Sequence, residues 1–189
     1  MPRSAPQIKI CGVNEVGFAV EAERCGADYI GLILVQESPR HVTPVLAKAI
    51  VAALQGKARP VGVFTSTSAV EVARIAAEVG LGIVQLHRRA TEEDVATLRA
   101  AGLEVWSLAG GAPADALLFD SSHGDGERCL RTGPWRSVLA GGISIDNVGE
   151  AVRSGADVID ASGSLESAPG VKSIARLRAF MAAARATCG

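Results

Sequence analysis

Aromatic side chains are scarce in this chain. One Tyr, two Trp and four Phe make up 4% of its 189 residues. An interior of any size must therefore be packed by aliphatic residues and alanine, as Ala-rich helices and Val/Ile/Leu strands provide. Excess charge of either sign is missing too. Nineteen Lys and Arg stand against twenty Asp and Glu, for a net charge of −1, which excludes the basic surface of a nucleic-acid binder. The four cysteines, Cys11, Cys25, Cys129 and Cys188, form no CxxC pair. That spacing fits neither a zinc site nor a small disulfide scaffold, and it points to a reducing cytoplasm. Met1 to Pro6 lack the apolar core of a signal peptide. No apolar run reaches the roughly 20 residues that span a bilayer, so no membrane partner is expected. No linker-like stretch divides the chain, and residues 1–189 are expected to form a single domain.

What is present is alternation. Short apolar runs at Gln7–Ile10, Tyr29–Leu34, Val61–Phe64, Ile83–Leu86, Glu104–Leu108, Ala116–Phe119, Ser137–Ala140 and Val158–Ala161 read as strands. Amphipathic stretches at Asn14–Cys25, Pro44–Leu54, Ser68–Val79, Thr91–Ala101, Ser144–Ser154 and Ile174–Ala184 read as helices. Asn14 and Thr43 stand as helix caps, and Gly26, Gly80 and Gly102 as stops. Thr91 with Asp94 has the spacing of a capping box. Alternating strands and helices imply a parallel sheet, and eight strands suggest closure into an α/β fold of the (β/α)8 TIM-barrel type. The chain is short for that fold. The outer helices are expected to be reduced after strands five and six, at 109–115 and 121–135. An open doubly wound sheet competes, but it normally carries GxGxxG after its first strand. Here that place holds Cys11-Gly12-Val13-Asn14.

The candidate polar groups all fall at the carboxyl ends of strands, where active sites of parallel α/β proteins lie. Cys11 ends the first strand and shares a face with Lys9, two residues back. A thiol acts as base or nucleophile only as thiolate, and a neighbouring cation lowers its pKa. Taken alone, Cys11 reads equally as a small buried apolar residue, and Lys9 equally as the partner of a carboxylate. Arg40 follows strand two, with the planar fork that suits carboxylate or phosphate, or else a place in solvent. Gln85 and His87 end strand four; the histidine suits a substrate donor, an acid–base group or a structural cap of the barrel mouth. Asp120 ends strand six behind the apolar run Leu117-Leu118-Phe119. Desolvation there would let its carboxyl act as an acid; helix capping or a bond to Lys9 are the plainer roles. Gly141-Gly142 after strand seven and Ser162-Gly163-Ser164 after strand eight form a candidate phosphate cradle.

In this order, these stretches resemble one family. Lys9-Ile10-Cys11-Gly12 is similar to KICG, and Gly26-Ala27-Asp28 with Gly31 to GAD…G. Ser38-Pro39-Arg40-His41-Val42 resembles SPRYV, Val61 to Phe64 VGVF, and Val84 to His87 VQLH. Asp115 to Asp120 resembles DALLLD, and Ala140 to Ile143 with Asn147-Val148 is similar to AGGL…NV. Glu166 to Lys172 is similar to ESxPGxKD. The chain is thereby identified as resembling phosphoribosylanthranilate isomerase over nearly its whole length. The resemblance implies a cofactor-free, metal-free barrel that performs an Amadori rearrangement on a phosphorylated aminosugar, as monomer or homodimer. It implies Cys11 as general base and Asp120 as general acid. Arg40 would hold the anthranilate carboxylate. Gly141, Gly142, Ser162, Gly163 and Ser164 would hold the phosphate, and Gln85, His87 and Asp160 would be further substrate contacts.

Three departures from the family pattern accompany the resemblance. The GGTG…FDW loop after strand six is represented only by Arg131-Thr132-Gly133-Pro134-Trp135. Arg88 replaces the glycine after VQLH. DVSSGVE appears as Asp160-Ala161-Ser162-Gly163-Ser164-Leu165-Glu166. If the family glycine needs a positive φ, Ser164 would resist it and Gly163 is expected to take that role. A barrel acting on another aminated phosphosugar, and a non-catalytic paralogue serving as a scaffold, are the alternatives.

Overall fold

The computed structural model describes residues 5–121 and 134–188. Eight parallel strands close into a barrel in chain order. They are β1 (Gln7–Cys11), β2 (Tyr29–Ile33), β3 (Arg59–Phe64), β4 (Ile83–Leu86), β5 (Glu104–Leu108), β6 (Ala116–Asp120), β7 (Arg136–Ala140) and β8 (Val158–Ala161). Helices α1 (Val16–Arg24), α2 (Pro44–Ala53), α3 (Ala69–Val79), α4 (Glu92–Ala100), α5 (Val148–Arg153) and α6 (Ile174–Cys188) pack outside. A small antiparallel pair, β9 (Glu166–Ala168) and β10 (Val171–Lys172), follows β8 after one 3-10 turn at Gly163–Leu165. No helix among the described residues is long and apolar enough to cross a membrane.

The two-residue period of the strands sorts the interior into two cores. Ile8, Ile10, Ile30, Leu32, Val84, Leu86, Val105, Leu139 and Ile159 pack outward against the helices. Tyr29, Val61, Ile83, Trp106, Leu108, Ala116, Leu118, Val138 and Val158 fill the barrel itself. With so few aromatics available, Trp106 and Tyr29 are concentrated at one level, edge to face at 5.0 Å. Below them the barrel floor is closed by polar side chains. The Tyr29 hydroxyl donates to Gln7 at 2.9 Å, Arg136 donates to the Tyr29 oxygen at 2.6 Å, and Trp106 Nε1 donates to Glu104 at 2.7 Å. Arg136 also pairs with Glu104 and lies over both rings.

The local signals that set the helix boundaries are mostly those expected. Thr43 and Ser68 cap α2 and α3, Gly80 ends α3 in the left-handed conformation, and Thr91 with Asp94 makes both bonds of a capping box. Asn14 is a correction. Helix α1 starts at Val16 with no side-chain cap, because Asn14 Nδ2 donates instead to the Gly170 carbonyl at 2.9 Å. Helix α5 is also shorter than its pattern, since Ser144 to Asn147 form a turn tied by Asn147 Oδ1. The β9–β10 pair was not anticipated; its strands are too short to carry a period. Between β5 and β6 there is no helix, as expected. Of the loss expected at 121–135 and the match placed at Arg131 to Trp135, the part at 122–133 lies outside the described residues.

Trp106 is fully buried and anchors both the barrel core and its floor. Trp106→Ala is expected to destabilise the protein by about 3–5 kcal/mol in urea denaturation, with Glu104 losing its indole donor as well.

Candidate active site

One cavity of about 430 Å³ opens at the carboxyl ends of the barrel strands. The residues expected to catalyse or bind substrate all line it: Cys11, Arg40, Gln85, His87, Asp120, Gly141, Gly142, Asp160, Ser162, Gly163 and Ser164. Ile33, Val35, Val63 and Ile143 give the same cavity an apolar wall, a surface suited to an aromatic ring.

Strand β1 carries Lys9 and Cys11 on the face that points into the barrel. Lys9 is fully buried, and its Nζ donates to Asp160 Oδ2 at 2.6 Å. Burial alone would lower the lysine's pKa, but Asp160 and the Cys11 sulfur outweigh it, and the ammonium is held above its ordinary value. The Cys11 thiol is pushed up. Burial is the main cause and Asp160 adds to it, while Lys9 and Lys172 pull the other way. Gly31 of β2 makes room for this pair. A Cβ there would fall 2.8 Å from Cys11 Sγ and 3.1 Å from Lys9 Nζ.

On the far side of the mouth, Asp120 Oδ2 lies 3.5 Å from His87 Nε2, and Gln85 Nε2 lies 3.5 Å from His87 Nδ1. Gln85 is buried, and its Oε1 has no hydrogen-bond partner among the described residues. A buried orphan acceptor in a cavity wall is a ready seat for a hydroxyl donor. Gly141, at φ +86°, passes directly against the Asp120 carboxyl and Ser121, where any Cβ would collide. Its glycine character is thus a requirement of Asp120's position as well as of the turn.

Arg40 does not sit free in solvent. Its Nε and Nη2 donate in a fork to Glu166 at 2.6 and 2.9 Å, and Lys172 donates to the same carboxylate at 3.0 Å. Burial works against charge on Glu166, yet Arg40, Lys172 and the Gly170 amide outweigh it and bring its pKa down to about 2. Glu166 and Lys172 were legible only as letters of a motif. Their work becomes visible once β9 and β10 fold back beside Arg40.

Around the cradle, Ser164 Oγ donates to the Ile143 carbonyl, Asn147 Nδ2 to that of Gly142, and Ser162 Oγ to that of Cys11 at 3.1 Å. These bonds tie the loops after β7 and β8 to each other and to β1. Gly141 and Gly142 both take positive φ. Gly163 does not, nor does any non-glycine among the described residues. The exchange of Gly and Ser therefore needs no shifted left-handed position, because the segment runs as a 3-10 turn that either residue can adopt. Arg88, the replacement for the family glycine, is engaged by Asp94 at the N-terminus of α4, at 2.5 and 2.8 Å. It is thus held in an ion pair rather than left in solvent.

A closed parallel barrel that gathers a thiol, a carboxyl group, a guanidinium and two Gly/Ser loops at the carboxyl ends of its strands has the architecture of the (β/α)8-barrel enzymes. Comparison with known proteins narrows the class. The model of one family, N-(5'phosphoribosyl)anthranilate (PRA) isomerase, matches residues 8–183. N-(5'-phosphoribosyl)anthranilate isomerase of Rhodospirillum centenum is 35% identical, with 95% of this chain and 98% of that protein covered. Phosphoribosyl anthranilate isomerase from Thermus thermophilus superposes with a TM-score of 0.83 at 33% identity, covering 95% of this chain and 98% of that one. A further isomerase of this kind, solved with reduced 1-(o-carboxyphenylamino)-1-deoxyribulose 5-phosphate, matches with a TM-score of 0.79 at 25% identity over 96% of this chain and 99% of that one. The chain belongs to the N-(5'-phosphoribosyl)anthranilate isomerase family.

Glu166→Gln is expected to lower stability at neutral pH by about 2 kcal/mol, because Arg40 and Lys172 lose a shared anion. The sign with pH follows from a depressed carboxylate. The wild-type advantage is complete above about pH 4.5 and disappears as pH falls toward about 2. Urea denaturation of both proteins at neutral and acid pH measures it; parallel curves across that window would contradict it.

Proposed function

We propose that this protein catalyses the Amadori rearrangement of N-(5'-phosphoribosyl)anthranilate to 1-(2-carboxyphenylamino)-1-deoxyribulose 5-phosphate, with Cys11 as general base and Asp120 as general acid. The observation that carries the reading is the meeting of these two side chains, from β1 and β6, on one cavity that also holds Arg40 and the Gly/Ser cradle. A scaffold protein has no need of that convergence.

The chemistry needs a proton given and a proton taken. Asp120 gives its proton to the furanose ring oxygen. The C1–O bond breaks, and the aryl nitrogen's lone pair forms a C1=N iminium. The Cys11 thiolate then takes the C2 proton, and the C2–H electron pair moves into a C1=C2 bond while the iminium pair returns to nitrogen. The resulting enolamine gains a proton at C1 as the C2 hydroxyl loses its own, leaving the ketone. No atom is added or lost overall. Two ends of the substrate are anionic, and the site offers a seat for each. Arg40 takes the anthranilate carboxylate through Nη1, which lies outside the fork held by Glu166. The backbone around Gly141, Gly142, Ser162, Gly163 and Ser164 takes the phosphate. The aryl ring rests on Ile33, Val35 and Val63, and the ribose hydroxyls meet Gln85, His87 and Asp160. The whole activity resides in one barrel domain, working in the cytoplasm as a monomer or homodimer.

Cys11→Ser and Asp120→Asn are each expected to lower kcat by about a hundredfold or more with the circular dichroism spectrum unchanged. Neither variant should restore growth without tryptophan in a strain lacking the isomerase. Near-wild-type rates in both would end the assignment. The pH profile has a definite sign. The active form is the thiolate, and burial raises the thiol. The rate should therefore still be climbing as pH passes the ordinary thiol value of 9.0 rather than level off below it.

A further inference from the structure

Lys9 has no part in the proton transfers above, yet it is one of the largest fully buried side chains in the protein. Taking a lysine ammonium out of water costs several kcal/mol before its pairing is counted. A hydrophobic residue would fill the same space without that cost. We propose that Lys9, held by Asp160, is a positioning residue that fixes the Cys11 sulfur in the barrel mouth and favours its anionic form. The inference rests on the base role given to Cys11 above.

The geometry leaves little freedom. Lys9 and Asp160 are register partners across the β1–β8 seam, and their side chains meet at 2.6 Å. Cys11 follows on the same face, and the sulfur and the ammonium both lie within about 3 Å of the Cβ position that Gly31 leaves empty. The ammonium thus bridges a carboxylate and a sulfur in a space that any larger residue at position 31 would invade. Asp160 Oδ1 accepts no hydrogen bond among the described residues, so Lys9 is the carboxylate's one hydrogen-bonded partner there. The other charges around the sulfur are accounted for. Arg40 from the loop after β2 and Lys172 from β10 act on it from a distance, and both are engaged by Glu166. His87 and Asp120 act on Asp160. Lys9 is therefore the near cation and Asp160 the near anion, and the two must push the thiol in opposite directions.

That opposition is the test. The thiol is titrated in the full-length protein, without substrate, by its ultraviolet thiolate absorbance, with Cys11→Ser as the blank. Lys9→Met should move the Cys11 transition to higher pH by about one unit or more. Asp160→Asn, which keeps the ammonium, should move it lower. The rising limb of kcat should follow each shift, and in Lys9→Met KM should change far less than kcat. A purely structural lysine would alter stability and leave both transitions where they are. If Lys9→Met alone does not fold, Lys9→Met/Asp160→Asn removes both charges together; the comparison is then between that protein and Asp160→Asn, and the transition should stand higher in the doubly substituted one. A Cys11 transition unmoved in the folded variants, or moved the same way by Lys9→Met and Asp160→Asn, overturns the proposal. Transitions that shift as expected while kcat ignores them would leave the coupling standing and remove Cys11 from the reaction.

Discussion

The mouth of this barrel depends on how the barrel closes. Strand β1 pairs with β8 so that Lys9 stands opposite Asp160. A one-residue slip would turn one of the two side chains outward among the aliphatic residues beneath the helices. The buried ion pair therefore penalises every other register strongly, because an unpartnered ammonium or carboxylate in that interior is far costlier than a cavity. Once the seam is set, Cys11 points into the mouth and Ser162, two residues beyond Asp160, reaches the Cys11 carbonyl. The loop after β8 is thereby fastened beside the thiol, and through Ser164 and Ile143 to the loop after β7.

The barrel divides its labour by height. Its floor is sealed by the Gln7, Tyr29, Glu104 and Arg136 network, and its waist by aliphatic side chains around Trp106. Above that waist polar groups come inward again, as Lys9, Cys11, Gln85, Asp120 and Asp160. Rigidity below and reactive groups above is the arrangement that holds an acid and a base at fixed separation on different strands. A second layer stands outside the first. Glu166 and Lys172 on the β9–β10 pair hold Arg40, so a loop side chain with many rotamers enters the cavity in one orientation.

Much of this was legible in the chain. The strands showed themselves through short aliphatic runs, and the helices through caps such as Thr43 and Thr91, because these are local effects of backbone geometry and side-chain reach. The site residues were visible because the strands end on them, so position along the chain stood in for position around the mouth. What escaped notice was everything owed to contact at a distance. Asn14 has the chemistry of a cap, yet it bonds to Gly170, 156 residues away. Glu166 reads as one letter of a motif until β9 and β10 fold back.

Lys9 shows most plainly where the boundary falls. The amino-acid sequence alone determined that its side chain shares a face with Cys11, since alternation along a strand is a property of the extended backbone. It left open whether the lysine serves the thiol or a carboxylate. Only the closed barrel answered that it touches both, because Asp160 lies 151 residues further along and arrives through the pairing of the last strand with the first. Periodicity and capping are written into neighbouring residues, whereas the electrostatic surroundings of a buried group are the sum of what every packed element brings to it.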